Sequence, residues 1–269
     1  MASVDGYRPL QGASDEDRQA ALARAIAEVE GSEGPRAIIA YLLSLAPFTS
    51  SLVVAAPIGG EPSHLFDDIS AERRPIVVDA FMRGAYLLDP FYARIAPGLG
   101  TTMLTLRDVQ PDHFRKTEYF RNYYSDARLV DEIGLFVELP DGSYVFYSLG
   151  RAYGRQGFSR QERQRLAQAL PVVEALSRRQ WGGERGRGGR KRGSRISLEA
   201  ALESNRFSVL TPREREITGL VLKGHSSKSI ARETGISPGT VNIHRKHVYT
   251  KLGITSQGEL FNLFMQMFI

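Results

Sequence analysis

The chain contains, in close succession, Leu210-Thr-Pro-Arg-Glu-Arg-Glu-Ile217, Gly224-His-Ser-Ser-Lys-Ser-Ile-Ala231 and Ile236-Ser-Pro-Gly-Thr-Val-Asn-Ile-His-Arg-Lys-His-Val248. Thr211 to Glu214 reads as a capping box with proline at the first helical position, Ser226 or Ser227 is suited to cap a second helix, and Ser237 a third. Glycines that favour the left-handed end of a helix follow each of the three, at Gly224, Gly235 and Gly253. The spacing predicts three short helices joined by tight turns, then a fourth, strongly apolar helix over residues 256–267.

The third of these helices has two different faces. Val241, Val248 and Leu252 form an apolar stripe, which predicts the side that packs on the other helices. Mostly polar and basic residues lie between them, namely Thr240, Asn242, Ile243, Arg245, Lys246 and Tyr249. A helix that follows a tight turn and presents such a face is what reading the major groove of DNA requires.

At these residues the chain resembles the DNA-binding domain of LuxR/FixJ-type (GerE-like) bacterial transcription regulators. The shared pattern is L-T-x-R-E, S-x-K-x-I-A, I-S-x-x-T-V-x-x-H and K-L, and it extends from about Leu210 to Met267. The family usually has Asn and Glu where Ser227 and Ser229 stand, Lys at Asn242 and Asn at His247. These departures leave the fold expectation intact and bear on the operator sequence.

The resemblance also implies which residues contact DNA. It places the base-reading positions at Asn242, Ile243 and Lys246, and the backbone-anchoring positions at Lys228, Thr240, Arg245 and Lys251. The chemistry agrees, because asparagine can pair with adenine, lysine can donate to guanine, and isoleucine can contact a thymine methyl group. Threonine, arginine and lysine suit phosphate contacts.

The fourth helix carries an apolar surface at helical spacing, formed by Leu260, Leu263, Phe264 and Met267. We expect this surface to pair two copies of the chain across a pseudo-palindromic site. Packing against the N-terminal part of the same chain is the competing use.

Charge divides the 269 residues unevenly. Residues 1–177 hold 18 Lys and Arg against 23 Asp and Glu, residues 178–195 hold 8 against 1, and residues 196–269 hold 9 against 6. The basic excess therefore lies where an anionic polymer would bind. It supports a division into a sensory and dimerisation domain (1–177), a flexible Arg/Gly-rich linker (178–197) and a helix-turn-helix domain (198–269). The linker serves either as a plain spacer or as an additional contact with DNA phosphates.

The first 177 residues mix helical and strand patterns. Helices are predicted over 15–30, 35–45 and from the capping box Ser159–Glu162 to about Arg179, with a strand over 51–57 and a hairpin over 133–149 around the Asp141–Gly142 turn. This order predicts an α+β domain, an antiparallel sheet with flanking helices, joined to an all-α four-helix C-terminal domain. It is similar to the GAF/PAS-like sensory domains that precede this DNA-binding domain in bacterial one-component regulators.

Aromatic residues crowd one part of this domain. Five of the eleven tyrosines fall between Tyr86 and Tyr124. Because tyrosine hydroxyls need water or a partner, a concave ligand site would explain the crowding, and nearby carboxylates could pair with a cationic ligand. The predicted pocket residues are Asp89, Tyr92, Tyr119, Tyr123, Tyr124 and Glu132. A packed core with a dimer surface is the alternative.

Several classes of protein are excluded or disfavoured. The chain has no cysteine, and no G-x-S-x-G, G-x-x-x-x-G-K or H-E-x-x-H motif, so neither an enzyme nor a metal or other cofactor is expected. Asp67-Asp68 follows a Gly/Pro/Ser loop rather than a strand, which disfavours a phosphorylated receiver. The only tryptophan, Trp181, falls in the predicted linker, which disfavours the tryptophan-rich pocket of acyl-homoserine-lactone sensors.

The expected function is a cytoplasmic, effector-controlled transcription regulator. Its expected partners are double-stranded DNA, a second copy of the chain, a small-molecule effector and, as a candidate, RNA polymerase. No transmembrane or signal segment is expected, since no stretch approaches eighteen apolar residues. The alternative is a constitutive DNA-binding regulator whose N-terminal domain only dimerises or binds a protein partner.

Overall fold

A five-stranded antiparallel sheet forms the centre of the N-terminal domain. The computed structural model describes residues 13–117, 119–121, 129–152, 154, 156–183, 197–203 and 205–268. The strands are β1 (Ser50–Ala56), β2 (Ser63–Asp67), β3 (Thr102–Thr105), β4 (Leu129–Glu138) and β5 (Tyr144–Ala152), in the spatial order β2-β1-β5-β4-β3. The long β4–β5 hairpin turns at Gly142, whose φ of 79° favours glycine.

Three helices cover one face of the sheet: α1 (Asp15–Glu28), α2 (Gly34–Leu45) and α5 (Arg160–Trp181). Because side chains alternate along a strand, Val53, Leu135 and Tyr147 point towards these helices and are fully buried against them. Ser14 and Ser159 begin α1 and α5 through reciprocal capping boxes. This half of the domain is a regular layer of helices on a sheet.

The other face has an irregular cover. Val54, Phe136 and Phe146 point to this side. Short segments pack over them: a π-helical turn (Pro75–Asp79) that continues into α3 (Ala80–Arg83), 3-10 turns at Ala85–Leu88, Tyr92–Arg94 and Phe114–Lys116, and α4 (Leu106–Val109). The same apolar cluster continues into the C-terminal domain, so the two domains share one buried contact region.

The C-terminal domain is entirely helical. It consists of α6 (Leu198–Glu203), a 3-10 turn (Asn205–Val209), α7 (Pro212–Lys223), α8 (Ser227–Thr234), α9 (Pro238–Leu252), α10 (Gln257–Met265) and a last 3-10 turn (Gln266–Phe268). Its most buried apolar residues are Phe207, Ile217, Ile230, Val241, Leu260 and Phe264. Helices α8 and α9 both pack on α7, which holds them at a fixed relative position.

The structure confirms the predicted α+β and all-α fold classes and corrects one boundary. Helix α5 continues to Trp181, which is buried beside Tyr147. Residues 178–181 are therefore helical rather than linker, and residues 184–196 lie outside the described part of the chain. Among the described helices, none is long and apolar enough to cross a membrane.

Candidate DNA-binding surface and effector cavity

Side-chain caps fix the geometry of α7, α8 and α9. The hydroxyl of Thr211 accepts a hydrogen bond from the Glu214 amide, and those of Ser226 and Ser237 do the same at the starts of α8 and α9. Left-handed glycines end the three helices, at Gly224, Gly235 and Gly253. The predicted helix starts and stops are confirmed, since these signals act within a few residues of the chain.

The three predicted base-reading residues lie exposed on the outer face of α9. Asn242 and Lys246 are open to solvent, and Ile243 is 56% exposed. Val241 and Val248 are buried beneath them and hold the helix on α7 and α8. An exposed isoleucine between two polar side chains suits contact with a thymine methyl group, and base reading by these residues stays a prediction.

Ser227 joins the two helices of the motif. Its hydroxyl donates to Asn242 Oδ1 at 2.8 Å and accepts from Arg245 Nη1 at 3.3 Å, while Arg245 Nη2 donates to the Tyr249 hydroxyl at 3.3 Å. Ser227 and Asn242 are both departures from the family pattern, and the structure brings them into contact. The bridge turns the amide nitrogen of Asn242 away from Ser227 and orients the side chain before DNA is present.

The predicted backbone-anchoring residues differ in their surroundings. Lys228 is exposed in the first turn of α8, and Thr240 lies in the first turn of α9, where its hydroxyl contacts that of Ser237 at 2.8 Å. Lys251 instead donates from Nζ to Glu214 Oε2 at 2.7 Å. Burial raises the pKa of Glu214, but the hydrogen bond from Lys251 and those from Thr211 outweigh it, and its pKa falls below the ordinary value. The ammonium group of Lys251 therefore holds α9 on α7, and a phosphate contact through its other N–H groups stays a prediction.

The predicted dimerisation residues of α10 pack inside the chain. Leu260, Leu263 and Phe264 are buried within the chain, and Met267 is half-buried. Phe264 packs against Phe207 in the same domain, with ring centroids 6.4 Å apart. In this arrangement the apolar surface stabilises the C-terminal domain and its contact with the N-terminal domain, which is the competing use, and pairing of two copies through α10 stays a prediction.

A small cavity lies under the irregular cover of the sheet. Strands β1, β4 and β5 form one side of it, and residues 69–89 of the irregular cover form the other. The polar or charged residues that line it include Ser50, Ser51, Arg73, Asp89, Glu132 and Ser148. The enclosed space is about 20 Å³, and apolar lining from Leu52, Val77, Phe81 and Phe146 surrounds the polar groups. Within the described residues, no group of three histidines, aspartates or glutamates is arranged to hold a metal ion.

The cavity brings together two of the predicted pocket residues. Asp89 and Glu132 line it, and the Ser148 hydroxyl donates to Glu132 Oε1 at 2.6 Å. Asp89 accepts hydrogen bonds from the amides of Phe91 and Tyr92, each at 2.8 Å, and from the Tyr119 hydroxyl at 2.8 Å. Tyr119 does not line the cavity itself but is hydrogen-bonded to Asp89, which does.

Tyr92, a further predicted pocket residue, does not line this cavity. Tyr92 donates its hydroxyl to the carbonyl of Gly60 at 3.0 Å and packs edge-on against Tyr86. Tyr123 and Tyr124 lie outside the described residues. Tyr86, Phe91, Phe114 and Tyr119 are all buried and belong to the core.

Asp89 gives the N-terminal domain a pH dependence. Burial raises its pKa to about 6, against the hydrogen bonds from Tyr92, Tyr119 and Phe91, which lower it. Because this pKa is higher in the folded chain than in the unfolded chain, its contribution to stability is full below about pH 4 and is lost as the pH rises through about 6.

Replacing Asp89 with asparagine should remove that dependence. The amide oxygen can still accept from the two backbone amides, so the fold is kept while the titration is lost. Urea unfolding measured from pH 4.5 to 7.5 should show a decline in the free energy of unfolding for the wild type that is absent in Asp89→Asn. The exposed Asp79→Asn serves as control, and equal pH profiles for all three proteins would contradict this account.

Most of the cavity wall could not be predicted from the sequence. Ser50, Arg73 and Ser148 carry no local motif, and only the pairing of β1 with β5 brings the two serines together. Alternation along the strands was the available signal: Glu132 and Ser148 occupy the same face as Phe136 and Phe146, where apolar residues would be expected.

Comparison with known proteins agrees with the geometry. Residues 208–264 match the family model described as bacterial regulatory proteins, luxR family. A putative HTH-type transcriptional regulator in the exeN 3′ region of Aeromonas salmonicida is 36% identical over 187 residues, which are 67% of this chain and 95% of that protein. The transcriptional regulatory protein MctR of Rhizobium johnstonii is 51% identical over 51 residues, 19% of this chain and 24% of its own.

The N-terminal domain has a solved counterpart in fold. The VqsR LBD domain from Pseudomonas aeruginosa superposes with a TM-score of 0.53 at 22% identity, covering 60% of this chain and 94% of that one. The shared fold and the relative matched over nearly its whole length extend the similarity beyond the helix-turn-helix. The chain belongs to the LuxR family of bacterial regulatory proteins and is a transcriptional regulator with a C-terminal helix-turn-helix domain.

Proposed function

We propose that this regulator is controlled by a small polar effector bound in the cavity of its N-terminal domain. The observation that carries the proposal is a set of buried polar side chains that line this cavity, Ser50, Asp89 and Glu132, all 6% exposed or less. Buried polar groups cost free energy unless they are hydrogen-bonded, so a ligand that satisfies them is favoured.

The lining defines the chemistry of the effector. Carboxylates and serine hydroxyls accept hydrogen bonds and Arg73 donates them, so a molecule with both amino or hydroxyl donors and an acceptor fits best. The enclosed space of about 20 Å³ holds roughly one water molecule. A larger effector must therefore displace the short helices over the cavity, and this cover belongs to the apolar cluster that continues into the C-terminal domain.

Control would work by a shift between arrangements of the two domains. An effector that binds one arrangement more tightly raises its population, and that arrangement would let two recognition helices of a homodimer match two half-sites of DNA. Pairing through α10 requires its release from the present contacts. Chromosomal DNA as the target places the proposed action in the cytoplasm, where RNA polymerase is a proposed further partner.

A thermal-shift screen of the full chain tests the effector proposal. The probes are amino acids, polyamines, nucleosides, sugars and N-acyl-homoserine lactones, each tested as a concentration series. We expect a saturable rise in melting temperature for a polar probe, about 2.7 kcal/mol of stabilisation at 100 times its Kd. Glu132→Gln should abolish the rise, whereas Glu72→Gln, an exposed glutamate in the segment over the cavity, should keep it.

The small size of the cavity favours a second candidate, a constitutive regulator whose N-terminal domain only dimerises. In that case no probe stabilises the protein and DNA binding is the same with and without each compound. A probe whose effect survives Glu132→Gln binds elsewhere and would overturn the assignment to this cavity.

A further inference from the structure

The N-terminal domain places a carboxylate on the first helix of the DNA-binding motif. Asp112 lies in the loop between α4 and the 3-10 turn Phe114–Lys116. The amide of Ser226 donates to Asp112 Oδ1 at 3.0 Å, and the Ser226 hydroxyl donates to Asp112 Oδ2. The same hydroxyl accepts from the Ser229 amide and so caps α8. The N-terminus of α8 therefore binds a carboxylate that comes from the N-terminal domain, 114 positions away from Ser226 in the sequence.

This location has the chemistry of a phosphate site. The first amides of a helix lack partners within it and carry partial positive charge, so anions bind there. The exposed Lys228 lies in the same turn, and Ser227 links this turn to the recognition helix α9. Burial raises the pKa of Asp112, but the hydrogen bonds from Ser226 outweigh it and lower the pKa overall, so the group is an anion at neutral pH.

Two glycines allow the domains to approach this closely. A Cβ atom at Gly224, which caps the C-terminus of α7, would lie 2.5 Å from Thr117 Cγ2 of the N-terminal domain. A Cβ atom at Gly84 would lie 2.5 Å from the ring of Phe268. The contact at Asp112 thus belongs to a closely packed interface, while Asn242, Ile243 and Lys246 stay exposed outside it.

The same loop is connected to the cavity. Phe114 and Tyr119 pack with ring centroids 6.1 Å apart, and the Tyr119 hydroxyl donates to Asp89, which lines the cavity. Movement of Asp89 would therefore be transmitted to the segment that carries Asp112. This connection rests on the proposed effector site, whereas the contact at Ser226 does not.

We propose that Asp112 is an autoinhibitory phosphate mimic: its carboxylate occupies the N-terminus of α8, where a DNA phosphate would bind, and holds the helix-turn-helix domain in a state of reduced DNA affinity. The recognition helix remains accessible, so the contact weakens DNA binding rather than abolishing it. Removal of the carboxylate frees one phosphate site and removes one repulsive charge from the path of the DNA backbone.

Binding of the full-length protein to a fluorescent 30-base-pair duplex of arbitrary sequence tests this. Asp112→Ala should bind about tenfold more tightly than the wild type, as expected for the loss of one charge-assisted hydrogen bond. One additional phosphate contact should also steepen the slope of log K against log salt by about 0.9. Asp112→Asn, which keeps the shape of the side chain, should show the same direction and guards against a folding defect in the alanine variant.

Glu16→Gln is the matched control, because it removes one negative charge from the exposed face of α1 without touching the interface. It should leave both the affinity and the salt slope at their wild-type values. If both Asp112 variants fold and bind DNA with wild-type affinity and slope, the phosphate-mimic role is wrong. If Glu16→Gln tightens binding equally, the effect is one of net charge and the proposal is equally overturned. Neither result would affect the effector proposal, which the thermal-shift screen tests separately.

Discussion

Replacement of Phe264 with alanine should destabilise the helix-turn-helix domain by about 3–5 kcal/mol. The ring is completely buried, and its neighbours are the rings of Phe207 at 6.4 Å and Phe268 at 5.3 Å between centroids. Truncation leaves a cavity that the helices around it can close only in part. Chemical unfolding of the full-length protein, followed by circular dichroism, measures the loss directly.

This result decides between the two uses of α10. Met267, half-buried in the final 3-10 turn, is the matched control, and Met267→Ala should cost clearly less. If α10 were instead a dimer surface, Phe264→Ala would leave the unfolding free energy of the monomer unchanged and weaken self-association in sedimentation experiments. The burial observed here predicts the opposite pattern.

Replacement of Lys246 with alanine should reduce discrimination between DNA sequences by about 1–3 kcal/mol at one base position. The side chain is exposed on the outer face of α9. No ion pair between the described residues includes it, so its ammonium group can donate to a guanine. Sequences selected by the wild-type protein from a randomised duplex library should show a preference that the variant loses at that position while keeping the others.

Arg36→Ala is a suitable control for the loss of a cation, since Arg36 lies on α2, far along the chain from the DNA-binding helices. It should select the same sequences as the wild type. A Lys246→Ala protein that selects the wild-type motif with uniformly lower affinity would assign Lys246 to the phosphate backbone instead.

The C-terminal domain could be predicted from sequence because its signals are local. Each helix start is set by a serine or threonine and the amide two or three residues later, and each stop by a glycine such as Gly235. The sequence also indicated which residues form the apolar face of α10. It did not indicate what packs against that face, since the same stripe of residues suits a second copy and the interior of the chain equally well.

The N-terminal domain was harder to predict, because contacts between residues that are distant in the sequence determine much of its structure. Strands β2 and β3 are five and four residues long, and each lies at an edge of the sheet where it pairs with a single strand. Trp181 follows an arginine pair and precedes glycines, so composition suggested a linker, whereas contact with Tyr147 makes it core. The cavity combines residues from β1, β4 and β5 that share no motif, and only Asp89 and Glu132 could be named beforehand.

The fit of Phe268 against Gly84 limits how freely the two domains can be exchanged. A helix-turn-helix domain grafted from a relative would keep its own fold, because its caps and core are internal. A grafted domain without an aromatic ring at this position would lose the close fit between Gly84 and Phe268. We therefore expect such a chimaera, joined at the linker, to combine two intact folds with an altered contact between them.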